Sequence, residues 1–215
     1  MKWINLFLFG CIIYNPQIFA QEQELENEQV LKSSDFVLAA SYGYPNWGSF
    51  NMNLNFSEFN YAEISTRGIA PITIAATYFY NDRISFSLIG MYNFWGGAWK
   101  DNFTSLNYDF NVSRLRILFG MEYHFFELDI KNVDLYAGMA LGGNSITVNY
   151  ESNDLNWTPR DNDYFMQSND NLNFPLTGRA YAGMRYFFNE NWGGNMELSY
   201  GGATMSFGVN YKFVK

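Results

Sequence analysis

The chain is nearly devoid of thiol, imidazole and long apolar runs, and each shortage removes a class of explanation. Its 215 residues contain one cysteine, Cys11, and one histidine, His124. Disulfide scaffolds and cysteine–histidine zinc sites are therefore excluded. Past the amino-terminal region no stretch stays apolar for the roughly 18 residues that a transmembrane helix requires. Charged residues make up only 16%, and the acidic ones outnumber the basic ones, 21 to 13. A net charge of −8 argues against binding to nucleic acid phosphates. Aromatic residues, by contrast, reach 20%. A soluble domain of this size would need an unusually large core to hide them, whereas a membrane-embedded sheet displays them outward.

The first twenty residues read as a secretory signal peptide. Met1-Lys2 starts positive, Trp3 to Ile13 is a compact apolar run, and Ile18-Phe19-Ala20 ends on a small residue at the expected cleavage point. Leu8-Phe9-Gly10-Cys11 loosely resembles a lipoprotein box, but the apolar run ahead of it is very short and hydrophobic sequence continues past it. Cleavage after Ala20 removes the only thiol and, with Lys2, takes the net charge to −9. Residues 21–34 are polar and acidic and read as a flexible leader. A single domain is expected over 35–215.

That domain reads as about eight strands: Asp35–Tyr44, Pro71–Tyr80, Arg83–Trp95, Val112–Phe125, Val133–Gly143, Leu176–Phe188, Trp192–Tyr200 and Ala203–Phe213. Short polar turns (Asn81-Asp82, Glu127–Asn132, Asn189–Asn191) alternate with long connections at Pro45–Ala70, Gly96–Asn111 and Asn144–Pro175. The last long-side connection is the exception, a two-residue hairpin at Gly201-Gly202. Within the strands the period is two. Leu115, Ile117, Phe119, Met121 and Tyr123 oppose Arg114, Arg116, Gly120, Glu122 and His124. Ala180, Ala182, Met184 and Tyr186 oppose Arg179, Tyr181, Gly183 and Arg185. Charges recur on the face opposite the greasy one. The expected fold is all-β: a closed antiparallel up-and-down barrel, apolar outside and polar within, crossing a membrane. A soluble lipocalin-like barrel shares the alternation but places its large apolar residues inside and its charges outside.

With the strands in this order the chain resembles the small eight-stranded outer-membrane barrels, the OmpA-transmembrane-like and OmpX-like proteins of the porin-family outer-membrane β-barrel domain. The resemblance is densest in Gly183-Met184-Arg185-Tyr186-Phe187-Phe188, Trp192-Gly193-Gly194, Glu197-Leu198-Ser199-Tyr200 and Gly208-Val209-Asn210-Tyr211-Lys212-Phe213, with Tyr42-Gly43-Tyr44-Pro45-Asn46 as a second hint. It implies a bacterial outer-membrane location with both termini periplasmic, and contact with outer-membrane lipids and lipopolysaccharide. It also implies that Phe207, Val209, Tyr211 and Phe213 form the last-strand signal read by the barrel-assembly machinery. Val214 and Lys215 trail the final aromatic, where many members stop. The family is defined by architecture and does not fix one activity.

An eight-stranded barrel is just wide enough to be filled by its own side chains. Arg114, Arg116, Glu122, Arg179, Arg185 and Glu197 are the expected interior charge network, as an ion-paired plug centred on Arg116, Glu122, Arg185 and Glu197. The expected role is a structural or surface-interaction scaffold, and the alternative is a small passive channel for ions or solutes. A lipid-modifying enzyme is a third possibility. His124 is the one candidate base; Asp134 on the neighbouring strand is within reach of it, but no serine completes the set by spacing. Asp161-Asn162-Asp163 lacks the rest of a calcium loop. Neither a catalytic residue, a metal nor a cofactor is expected. The acidic and aromatic connections at 45–70 and 150–173 are candidate contacts for a surface protein or glycan.

Overall fold

The computed structural model describes residues 31–47, 64–100, 107–125, 132–152 and 176–213. They form eight strands: β1 (Phe36–Tyr44), β2 (Ile64–Phe79), β3 (Ile84–Lys100), β4 (Asn107–His124), β5 (Val133–Ser152), β6 (Leu176–Phe187), β7 (Trp192–Tyr200) and β8 (Met205–Phe213). Every strand pairs antiparallel with the next, and β8 pairs with β1 to close the barrel. The signal peptide expected at 1–20 lies outside the described residues, as do most of the connections singled out at 45–70 and 150–173.

The short-turn end, called lower below, is built from local asparagine chemistry. Asn81 Oδ1 accepts from the Arg83 and Ile84 amides, both at 2.8 Å, and Asn189 Oδ1 accepts from those of Asn191 and Trp192 at 3.0 and 2.7 Å. These side-chain-to-backbone bonds reverse the chain in few residues. The upper hairpin differs from the expected two-residue turn: Gly201 to Thr204 connect β7 to β8, with Gly201 at φ 87° and the Ser199 amide bonded to the Thr204 carbonyl.

Four strands run further than their sequence suggested. β2 begins at Ile64, β3 ends at Lys100, β4 begins at Asn107 and β5 ends at Ser152. In β4 and β5 the reason is a reversal of polarity along the strand. In lower β4 the outward side chains are apolar (Leu115, Ile117, Phe119, Met121), while Arg116, Glu122 and His124 face in. Above Ser113 the inward side chains Phe110 and Val112 are apolar, packed against Trp95, Ile146 and Val148. The outward ones there are Asp109, Asn111 and, on β5, Ser145, Thr147 and Asn149. A reading that follows one apolar face loses the strand where that face changes sides. In β2 an irregularity between Ile69 and Ile72, with Ala70 and Pro71 both buried, shifts the register.

The last residues of the expected leader pack against the barrel. Leu31 is buried with Val37, Phe79 and Phe187 across the lower end of the barrel. Ser33 bonds to Asp82 and to the Tyr80 carbonyl, and the Ser34 amide bonds to the Phe79 carbonyl. The last four leader residues therefore belong to the packed structure, while residues 21–30 lie outside the described set.

Candidate functional site

The lumen holds the chain's concentrated chemistry. Pairing sets Asp134 directly opposite Arg185, and Ser85 opposite Glu122. Arg185 Nη1 donates to Asp134 Oδ2 at 2.9 Å and Nη2 to Glu122 Oε2 at 2.8 Å. The other Glu122 oxygen accepts from the Tyr181 hydroxyl at 3.1 Å. The Arg185 guanidinium lies 3.9 Å from the centre of the Tyr136 ring. Tyr136 donates onward to Glu197 at 3.3 Å, and Glu197 forms an ion pair with Arg179. Arg179 also reaches Ser199 Oγ at 3.2 Å. Five strands, β3 to β7, thus contribute to one network in the barrel interior. Removing one partner of such a buried pair leaves its counterpart charged and dry, at a cost of about 3–5 kcal/mol.

Inward glycines make room for the two tyrosines. Tyr136 stands opposite Gly183 and Tyr181 opposite Gly138. A Cβ on Gly183 would lie 2.6 Å from Tyr136, and one on Gly138 would lie 2.8 Å from Tyr181. The two rings meet edge-on, 6.3 Å apart. Each large side chain thus rests on the neighbouring strand's missing one, so the ionic groups are boxed in by rings.

The six interior charges expected from the sequence all face the lumen, but their partners differ from the expected plug. Arg185 pairs with Glu122 and Asp134 rather than Glu197, because it stands opposite Asn195 and leans towards β5 and β4. Glu197 takes Arg179 instead. Arg116 is not at the ionic centre: it donates to the Gly201 carbonyl, and Arg114 donates to Asn144 at 2.7 Å. The interior is also less polar than the strand pattern suggested. Ile89, Met91, Leu118 and Ala140 form a buried apolar layer with the two tyrosines. Ile89 and Met91 sit on the polar-looking face of β3, a signal that was present in the sequence between Ser87 and Asn93. The last-strand residues Phe207, Val209, Tyr211 and Phe213 alternate with inward Ser206 and Asn210.

A second correction concerns His124. Its Nδ1 is 2.7 Å from Asp134 Oδ1, as the neighbouring-strand placement suggested, but its Nε2 is 2.9 Å from Ser85 Oγ. Sequence spacing missed Ser85 because strand pairing, not chain proximity, brings it there. The spacing is that of a nucleophile, base and acid. Yet Ser85 and His124 are both 0% exposed, the imidazole is covered by Phe79 at 4.6 Å between ring centres, and Ser85 Oγ also lies 3.3 Å from the Glu122 carboxylate. A nucleophile needs room for a substrate carbonyl and donors for its oxyanion; here the neighbouring volume is taken by the protein's own side chains. Among the described residues no cluster of three histidine, cysteine, aspartate or glutamate side chains is arranged to hold a metal.

The architecture defines a closed eight-stranded antiparallel β-barrel with an apolar outer band and charged groups within. Solved structures similar to it include the outer membrane protein OprG from Pseudomonas aeruginosa, at 12% identity, TM-score 0.44, covering 86% of this chain and 98% of that one. The N-terminal β-barrel domain of Pseudomonas aeruginosa OprF shares 14% identity, TM-score 0.40, over 85% of this chain and 100% of that domain. Ail, the attachment invasion locus protein of Yersinia pestis, shares 11% identity, TM-score 0.39, over 84% and 99%. No protein-family model matches the sequence, and no curated protein does.

Proposed function

We propose that this chain is an integral protein of the bacterial outer membrane whose sealed barrel serves as a scaffold for its surface-exposed connections. The membrane assignment is supported by the outer band. Leu38, Ile74, Leu88, Ile117, Phe119 and Leu141 face outward, between aromatic rims at Tyr78, Tyr123 and Phe188 below and Tyr42, Tyr92 and Tyr200 above. β1, β7 and β8 have nine residues each, close to the roughly 9–11 that a tilted strand needs to cross a bilayer. The polar outer faces of upper β4 and β5 then stand beyond the hydrocarbon, at the level of lipid and lipopolysaccharide head groups. In this reading the short turns at the lower end face the periplasm, and both termini lie on that side. The outward ladder of Phe207, Val209, Tyr211 and Phe213 serves as the signal for the assembly machinery, and the long upper connections serve as the contacts for a surface protein or glycan.

The observation that carries the scaffold reading is the filled lumen. The Arg185–Glu122–Asp134 cluster, the tyrosine pair and the layer of Ile89, Met91 and Leu118 occupy its middle, and Leu31, Val37, Phe79 and Phe187 close its lower end. Water and ions crossing such an interior would have to break buried ion pairs. The test is single-channel recording from the mature chain refolded into planar bilayers, with a heat-shifted gel band reporting folding. A folded, silent barrel is expected; reproducible openings would replace the scaffold with the passive channel.

A further inference from the structure

Charge in the lumen is unevenly matched. In the lower cluster Arg185 faces two carboxylates, Glu122 and Asp134, and the latter also takes His124. Among the described residues of the upper lumen, three guanidiniums, Arg114, Arg116 and Arg179, stand beside one carboxylate, Glu197, which Arg179 engages. Among the described residues neither Arg114 nor Arg116 meets a carboxylate: their bonds go to Asn144 Oδ1 and the Gly201 carbonyl. Arg116 is nonetheless only 3% exposed, with Arg114 and Arg179 in Coulombic reach. A buried guanidinium among like charges is a costly arrangement unless something anionic joins it.

Arg116 and Arg179 approach the same connection from below. Arg116 approaches the β7–β8 connection through Gly201, and Arg179 lies under the same connection. A Cβ on Gly202 would sit 3.3 Å from Arg179 Nε and 3.1 Å from Met91 Cε, and Met91 pairs with Arg116. Both Arg116 Nε and Arg179 Nε are buried without an acceptor. Arg185 Nε is also without one, but that guanidinium has its two carboxylates, so the imbalance of charge is what sets the upper lumen apart. Arg114, two residues along the same face of β4 and half-exposed, lines the approach from the upper end.

We propose that the upper lumen is a binding site for one small inorganic anion of chloride's size, held by Arg116 and Arg179 beneath the Gly201–Gly202 connection, with Arg114 at its entrance. The tight packing favours a monatomic ion over a bulkier oxyanion. The site needs no conducting lumen, since entry and exit are from the same end.

The test uses the refolded full barrel in detergent at constant ionic strength, with chloride as the probe and gluconate as the replacement anion. Wild type should broaden the ³⁵Cl resonance saturably, and its denaturant midpoint should rise as chloride replaces gluconate. Arg116→Met, which keeps length and removes charge, should lose both effects and have a midpoint in gluconate at least as high as that of wild type. Arg67→Met, on the outer face, should retain both. If Arg116→Met does not fold, the half-exposed Arg114→Met takes its place, with weaker saturable broadening expected. Absence of saturable broadening in wild type, or equal responses in wild type and the lumen variant, would overturn the site.

Discussion

Two neighbouring strands, β4 and β5, obey opposite rules in their two halves. In the lower half of β4, Ile117 and Phe119 face outward and Glu122 and His124 inward; in the upper half, Asp109 and Asn111 face outward and Phe110 and Val112 inward. Hydrogen-bonded pairing runs unbroken from β4 to β5 across the change, so backbone geometry does not cause it. The difference teaches that the surroundings, not the strand, decide which face is greasy. In the proposed membrane setting the outside facing lipid must be apolar and the inside is free to hold paired charge; above it, in water, the usual preference for an apolar inside returns.

Ion pairs in the two halves offer the sharpest way to test this. Arg185→Ala strips the lower lumen's central cation and leaves Glu122 and Asp134 buried, and we expect a loss of about 3–5 kcal/mol in the unfolding free energy of the refolded barrel. Arg67→Met breaks an exposed pair with Asp109 on the upper outer face, and the same denaturation assay should register no more than about 1 kcal/mol. Equal losses would mean that the two halves do not differ in solvation.

A charge placed on the outer wall probes the boundary itself. Ile117→Arg, in the apolar band, should cost about 2–4 kcal/mol in lipid vesicles, whereas Thr147→Arg on the upper outer face should be close to neutral. A matching penalty at Thr147 would move the lipid boundary above the polarity change. Smaller still, Gly183→Ala forces a methyl against the Tyr136 ring and should cost about 1–3 kcal/mol. Tyr136→Phe in the same background would keep the ring contact, whereas Tyr136→Ala should remove it and leave only that with the Met196 carbonyl at 2.9 Å. Finally, a fluorophosphonate probe should leave Ser85 unlabelled in the folded barrel; modification of that serine, with loss on Ser85→Ala, would turn the buried Ser85–His124–Asp134 arrangement into a working nucleophile.

Much of the lower barrel was legible because each of its signals is local. Asn81 and Asn189 mark the turns, and Leu115 to Tyr123 alternate against arginine, glutamate and histidine, with Leu118 and Gly120 as the exceptions on that face. The upper half was harder to read. Gly96 opens an expected long connection, yet it pairs with Asn111, where a Cβ would lie 2.5 Å from the Phe110 carbonyl. Ile146 and Val148 alternate as clearly as Leu115 and Ile117, but on the other face. Ser85 and His124, 39 residues apart, gave no sign of meeting.

What the residues determined alone is the period, the two asparagine turns at Asn81 and Asn189 and the side on which each lower charge lies, since alternation and side-chain-to-backbone bonds act over two to four residues. Which guanidinium meets which carboxylate was decided only in the closed barrel. Arg185 chooses Asp134 and Glu122, Glu197 falls to Arg179, and Arg116 is left with a carbonyl, because these contacts depend on register and on side chains meeting across the lumen. Closure brings β3, β4, β5, β6 and β7 around one narrow axis, and electrostatic pairing follows distance in space rather than along the chain.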